Sequence, residues 1–253
     1  MPTKTIFITG ATSGFGKACA ERFARERHRL ILNGRRQELL GQLKEELQQQ
    51  YRIDALLLPF DVQDRTAVEQ AIAGLPDTWQ QIDVLINNAG LALGRDLFEE
   101  ALLDDWETMI NTNVKGLLYV SRAVLPYMIR QKAGHVINIG STAAKEVYER
   151  GNVYCATKAA VDSISKAMRI DLLRHGIKVT AIHPGAAETE FSLVRFKGDT
   201  AKAAAVYEGY KPLVAADVAE VVYYTTTLPE HVCINDLVLT CTAQVNSFYT
   251  FKG

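Results

Sequence analysis

At 253 residues, 48% of them hydrophobic and 23% charged, the chain suits one large α/β domain better than two small ones. A formal net charge of −1 excludes a basic field for nucleic acid and an acidic surface for a basic partner, so recognition of any anion must rest on individual cations. No apolar run reaches membrane-spanning length, and Ile6-Phe7-Ile8 behind Met1-Pro2-Thr3-Lys4 is too short for a signal-peptide core. Cys19, Cys155, Cys233 and Cys241 show neither CxxC pairing nor metal-ligand spacing with histidine. A reduced cytoplasmic protein with no membrane contact and no metal is expected.

Short Val/Ile/Leu-rich runs without polar alternation read as strands buried on both faces of a parallel sheet, and they take turns with stretches of helical period. The first run, Ile6–Ile8, ends in Thr9-Gly10-Ala11-Thr12-Ser13-Gly14-Phe15-Gly16 before a predicted helix over Phe15–Arg27. Such a GxxxGxG turn lets the backbone approach a pyrophosphate and aims the helix's N-terminal N–H groups at it, although alone it also serves as a plain tight turn. The second run, Leu30–Leu32, ends in Asn33-Gly34-Arg35-Arg36 before a helix over Gln37–Gln50. An enzyme taking NAD places Asp or Glu near this point, for the ribose 2′-hydroxyl. Arg35 and Arg36, with no acid between Asn33 and Gln37, predict NADP(H) and a site for its 2′-phosphate; the alternative is a pair of solvated charges.

The third run, Ala55–Phe60, ends in Asp61-Val62, candidates for adenine. The fourth, Val84–Ile86, ends in Asn87-Asn88-Ala89-Gly90, of which Asn87, Ala89 and Gly90 are candidates for the cofactor ribose. A long predicted helix, Asp104–Lys132, carries Asn113 and also Pro126, which should kink it or mark its end. After the fifth run, His135–Ile139, stands Ser141, thirteen residues before Tyr154. Lys158 follows four residues later, so on a helix over Val153–His175 it shares a face with Tyr154. A phenol, with pKa about 10, exchanges protons near neutrality only with help such as a neighbouring ammonium, and a hydroxyl such as Ser141 can hold an oxygen whose charge changes.

The sixth run, Val179–Ile182, leads into the strandless stretch Gly185–Pro212, and ligands bind at the carboxyl ends of such strands. A lid over 186–212 is therefore expected. A helix over Asp217–Leu228 and a last run, Leu237–Thr240, precede the tail 243–253. Three aromatics in Ser247–Phe251 argue that this tail packs, over a neighbouring subunit's site. Strand and helix in alternation predict a doubly wound open sheet.

Together these residues resemble the short-chain dehydrogenase/reductase family, from Thr9 to the final strand. The resemblance implies a single domain over 1–253, Rossmann-like, with a seven-stranded parallel sheet, and a homotetramer. It implies Tyr154 as general acid/base, Lys158 lowering its pKa and bonding the nicotinamide ribose, and Ser141 orienting the substrate oxygen. Asn113 would hold a water that relays protons to Lys158. Pro184, Gly185 and Thr189 match the segment over the nicotinamide.

Asn88–Gly94, Ile139–Ala143 and Thr189–Asp199 look like the subgroup of serine and 3-hydroxy acid dehydrogenases and sulfoacetaldehyde reductases. That implies a small anionic aldehyde or alcohol whose acid group needs a cation near Tyr154. Arg195 is the first candidate and Arg150 and Lys145 the second, with Tyr148 lining the pocket and Gln244 donating from the other side. The 3-hydroxy acid members carry Trp-Pro-Tyr-Ala-Gly-Gly where this chain reads Glu146-Val147-Tyr148-Glu149-Arg150-Gly151. Bulkier residues there imply a differently shaped pocket and favour a sulfonate. The expected reaction is sulfoacetaldehyde + NADPH to isethionate + NADP, ahead of a serine or 3-hydroxypropionate dehydrogenase. The rival from another class is a non-catalytic NADP-sensing regulator, which need not keep Ser141, Tyr154 and Lys158.

Overall fold

The computed structural model describes residues 2–253. Strand β1 (Thr5–Ile8) leads to helix α1 (Gly14–Arg25), β2 (Arg29–Gly34) to α2 (Gln37–Tyr51), and β3 (Ala55–Pro59) to α3 (Arg65–Ala73). β4 (Val84–Asn87) precedes α4 (Leu103–Ile110), which runs through a π-helical turn, Asn111–Gly116, into α5 (Leu117–Gln131). β5 (Gly134–Ile139) is followed by α6 (Asn152–Leu172). After β6 (Ile177–Pro184) come β7 (Ala187–Glu188), α7 (Glu190–Arg195), α8 (Thr200–Ala205), β8 (Leu213–Val214), α9 (Ala215–Thr227) and β9 (Asp236–Leu239). Seven strands pair in parallel in the order β3-β2-β1-β4-β5-β6-β9, and β7 and β8 form a separate two-residue pair.

The strands read as unbroken apolar runs because both faces are covered. Ile6, Ile8, Leu30, Leu32 and Ile86 point into one core with Phe23 of α1, Leu40 and Leu47 of α2 and Val222 of α9. Phe7, Ile31, Leu85 and Val136 point the other way, onto Val68 and Ile72 of α3 and Val120, Val124 and Met128 of α5. Each fully buried side chain of this size contributes roughly 1.5–3 kcal/mol. The order of strands reverses between β1 and β4, and the crevice at that reversal is where such sheets bind ligands.

Three features depart from the expected elements. α3 is not among the predicted helices: it buries only Val68 and Ile72, about one residue per turn, yet Asp64 caps it by accepting from Ala67 N at 3.0 Å. The long helix continues past Pro126 to Gln131, since Val120, Val124 and Met128 stay seated in the core on either side. It is interrupted earlier instead, by the π-helical turn that contains Asn113. The segment 186–212 is not structureless, because it holds β7, α7 and α8. The tail folds back on its own chain: Phe251 N donates to Ala243 O at 2.8 Å and Gly253 N to Gly209 O at 3.0 Å. The rings of Phe248, Tyr249 and Phe251 remain exposed. No helix among the described residues is long and apolar enough to cross a membrane.

Candidate active site

The carboxyl ends of the central strands open into a cleft of about 770 Å³. Gly10, Thr12, Ser13, Gly14 and Phe15 line one end. Gly10 has φ +65°, and a Cβ there would stand 3.0 Å from Ala89 Cα, so the turn after β1 requires glycine. Ser13 is extended, and its side chain makes no cap bond. Its hydroxyl and the first N–H groups of α1 are therefore available to a phosphate. Gly16 lies behind the cleft, where a Cβ would strike the Gly10 carbonyl; its place is in helix–strand packing, not on the ligand.

Arg35 and Arg36 also line this end. Arg36 Nη2 donates to Thr12 Oγ1 at 3.0 Å and its Nη1 is 3.5 Å from Glu190, while Arg35 is 3.5 Å from Asp61. Both guanidiniums are about half exposed or more, with N–H groups left over. Asp61, Val62, Ala89 and Gly90 continue the wall. The donors, the glycine cradle and the two cations fit an adenine dinucleotide bearing a 2′-phosphate. Asn87 is a correction. Its Nδ2 donates to Ser121 Oγ at 2.9 Å and Asn138 Oδ1 at 2.8 Å, in a buried network away from the cleft. Asn88, one residue on, is the member that lines the cleft, with Nδ2 on the Thr9 carbonyl at 2.8 Å. A strand's alternation decides which of two adjacent asparagines turns outward, and the sequence alone does not show the register.

At the other end stand Ser141, Tyr154 and Lys158. Ser141 Oγ accepts from Ala143 N at 3.1 Å, which leaves its own proton free to be donated. Lys158 Nζ donates to the Ile139 carbonyl at 3.0 Å and is 6.0 Å from the Tyr154 ring centroid. Burial pushes the Lys158 pKa down to about 8. Burial also pushes the Tyr154 phenol above its ordinary value, and Tyr148 adds to the rise. Ser141 and Arg195 pull the other way and are outweighed. The phenol therefore rests protonated, as a proton donor, rather than lowered by Lys158 as expected. Asn113 does not reach the cleft. Its Oδ1 accepts from Leu91 N at 2.8 Å, and its Nδ2 donates to Leu91 O at 2.8 Å and Thr157 Oγ1 at 3.0 Å. It clamps the loop after β4 to α6.

Pro184, Gly185 and Thr189 cover the cleft, and Thr189 caps α7 by accepting from Phe191 N at 3.2 Å. Arg195, in the last turn of α7, lies with its Cζ 5.6 Å from the Tyr154 ring centroid. Its Nη1 donates to Tyr148 Oη at 3.0 Å and its Nε to Gly94 O at 3.1 Å. The two second-choice cations are corrections. Lys145 is paired with Asp162 and Asp236 behind the site, and Arg150, held at φ +62°, lies outside the cleft wall. Gln244 lines the cleft, but its Oε1 accepts from Ala186 N at 2.8 Å and its Nε2 donates to Asn246 O at 2.9 Å. It ties tail to lid, and only its second Nε2–H is left for a ligand. Arg95, Glu149 and Lys252 also line the cleft; their signal in the sequence is charge alone, which any surface loop shares.

The model of the short chain dehydrogenase family matches residues 4–198. The chain is 50% identical over 233 residues to the NADP-dependent 3-hydroxy acid dehydrogenase YdfG of Escherichia coli (strain K12), covering 92% of each. It is 47% identical over 245 residues to sulfoacetaldehyde reductase 2 of Chromohalobacter salexigens, covering 96% of each. The structure of the closed form of a serine dehydrogenase complexed with NADP+ superposes with TM-score 0.93 at 46% identity, over 98% of this chain and 99% of that one. This likeness to enzymes along nearly the whole chain sets aside the non-catalytic regulator. The chain belongs to the short chain dehydrogenase family and is an oxidoreductase.

Proposed function

We propose that the chain is an NADP-dependent 3-hydroxy acid dehydrogenase, interconverting the alcohol and carbonyl of a small substrate that carries an acid group. The observation that carries this reading is the Arg195 guanidinium, 5.6 Å from the ring centroids of both Tyr154 and Tyr148. A carboxylate bonded there brings a carbon two or three bonds away up to the phenol. The stretch 146–151 gives little reason to prefer a sulfonate. Tyr148 stands where the 3-hydroxy acid enzymes also have Tyr, and Arg150 is not part of the cleft wall. Sulfoacetaldehyde, the first expectation from the sequence, becomes the second reading, supported by the likeness to sulfoacetaldehyde reductase 2.

When bound, NADPH supplies the hydride that reaches the carbonyl carbon. Ser141 donates its hydroxyl hydrogen bond to the carbonyl oxygen. Tyr154 gives that oxygen its phenolic proton as negative charge develops, which completes the alcohol. Lys158, beside Gly90, would hold the nicotinamide ribose, and its ammonium attracts the phenolate left behind. The segment 186–212 acts as a lid. Arg195 and Gly94 bond to each other through both backbone and side chain, and Lys197 Nζ meets Asp105 at 2.8 Å, so the lid is latched to the loop after β4 and to α4.

The test compares 3-hydroxypropionate, serine and isethionate as substrates with NADP+, in wild type and Arg195→Ala. Losing the partner of a desolvated anion costs at least about 2 kcal/mol, so kcat/KM for the acid substrates should fall at least about thirtyfold. A neutral alcohol of similar size should lose little. Equal loss for neutral and acidic substrates makes Arg195 structural, and isethionate as the best substrate favours the sulfonate reading. The assembly we propose is a homotetramer, which would cover Phe98, Leu102, Leu103 and Leu118 and the tail's aromatic rings. Light scattering should give four times the chain mass, and a monomer would refute it.

A further inference from the structure

We propose that His183 is a positioning residue for Ser141, an inference that rests on the reading of Ser141 as a participant in the chemistry. His183 sits near the end of β6 and is fully buried. Its Nδ1 is 3.2 Å from the Ser141 carbonyl oxygen. A carbonyl only accepts, so Nδ1–H is the donor. The ring also lies against the main chain of Gly140, where a Cβ would collide with the imidazole. The exit of β5, from which Ser141 projects, therefore rests directly on this side chain.

On the far side, Nε2 is 3.0 Å from Asp236 Oδ1 and 3.4 Å from Asp162 Oδ1. With the proton on Nδ1, Nε2 turns its lone pair toward these carboxylates, so the contacts are not hydrogen bonds and become attractive only when the ring is protonated. Asp236 starts β9. Asp162 lies on α6, one turn after Lys158 and two after Tyr154, so a single helix face carries the proton donor, the ammonium and the anchor of His183. Lys145 Nζ bonds both carboxylates, and Lys166 Nζ bonds Asp162 Oδ2 at 2.7 Å. Two carboxylates and two ammoniums thus balance around the ring. Burial and Lys145 push the imidazole pKa below its ordinary value, while Asp236, Asp162 and the Ser141 carbonyl oppose them.

This cluster ties β5, β6, β9 and α6 together immediately behind the reacting groups. Ser141 itself has an extended backbone, and its side chain accepts from Ala143 N and reaches the Tyr154 phenol. A reacting group misplaced by about 1 Å costs on the order of a hundredfold in rate. The network therefore bears on the rate without touching the substrate.

The experiment uses His183→Leu, which fills space without a donor, and His183→Asn, whose amide offers an N–H near the place of Nδ1. His183→Leu should lower kcat at least about tenfold with KM for NADPH held within about twofold, and His183→Asn should recover most of the loss. A charged imidazole makes the stronger, charge-assisted bond, so wild-type kcat should step upward as pH falls through the His183 pKa. The step should vanish in His183→Asn. It should move to lower pH in Asp236→Asn, which removes a carboxylate favouring the charged ring and keeps the question open to test should His183→Leu fail to fold. Wild-type kcat in His183→Leu, a persistent step in His183→Asn, or an unmoved step in Asp236→Asn overturns the proposal. Ser141→Ala separates the two readings: wild-type kcat there removes the reading of Ser141 itself, whereas loss there with a normal His183→Leu removes only the role of His183.

Discussion

Tyr154→Phe is expected to lower kcat by about 10²–10⁴-fold, equivalent to roughly 3–5 kcal/mol of barrier, while NADPH binding persists. Phenylalanine keeps the ring that packs 5.7 Å from Phe191 and lies beneath Arg195, so the pocket should hold its shape. Only the group that gives the proton is lost. Steady-state NADPH oxidation measures the rate, and a fluorescence titration with NADPH measures binding. A variant retaining more than about a tenth of wild-type kcat would remove Tyr154 from the chemistry. The pH dependence has a definite sign. Burial holds the phenol above its ordinary pKa, so the acid form needed for reduction is present through neutrality. The base form needed for alcohol oxidation grows only as pH rises, so oxidation with NADP+ should climb on the alkaline side where reduction does not.

Replacing Arg35 and Arg36 together by serine should raise KM for NADPH at least about a hundredfold and leave KM for NADH nearly unchanged. Charge-assisted hydrogen bonds contribute roughly 1.5–3 kcal/mol each, and the exposure of both guanidiniums places them at the low end of that range. Two such bonds lost give about 3 kcal/mol, or about two orders of magnitude. The discrimination should weaken with added salt, since the arginines are screened at this half-exposed position. Equal losses for NADPH and NADH would mean that Arg36 matters through Thr12 and Glu190, as a brace between the glycine turn and α7, rather than through the cofactor.

Chain-local features are legible in the amino-acid sequence itself. Unbroken apolar runs of this length fit strands covered on both faces, and the turn Thr9–Gly16 between a strand and a helix leaves helix N–H groups facing outward. Tyr154 and Lys158 are four apart on a strong helix, so their shared face follows from helical geometry. The place of Arg35 and Arg36 on the cleft wall follows from their position after the second strand.

What the fold alone decided is side-chain direction and partnership between distant segments. Asn87 and Asn88 are adjacent and chemically identical, and strand pairing buries one and presents the other. Lys145 and Arg195 are both cations near the site in sequence. Lys145 is taken up by Asp162 and Asp236, 17 and 91 residues away, whereas Arg195 is carried over Tyr154 by a short helix docked on Gly94. The phenol's direction of shift reversed for the same reason. Spacing shows that an ammonium is near, but the cost of burying a charge depends on everything packed around it, and here desolvation raises the phenol against the pull of Ser141 and Arg195. Local geometry is set by bonds along the chain. Burial and electrostatics are sums over neighbours that only the closed tertiary structure brings together.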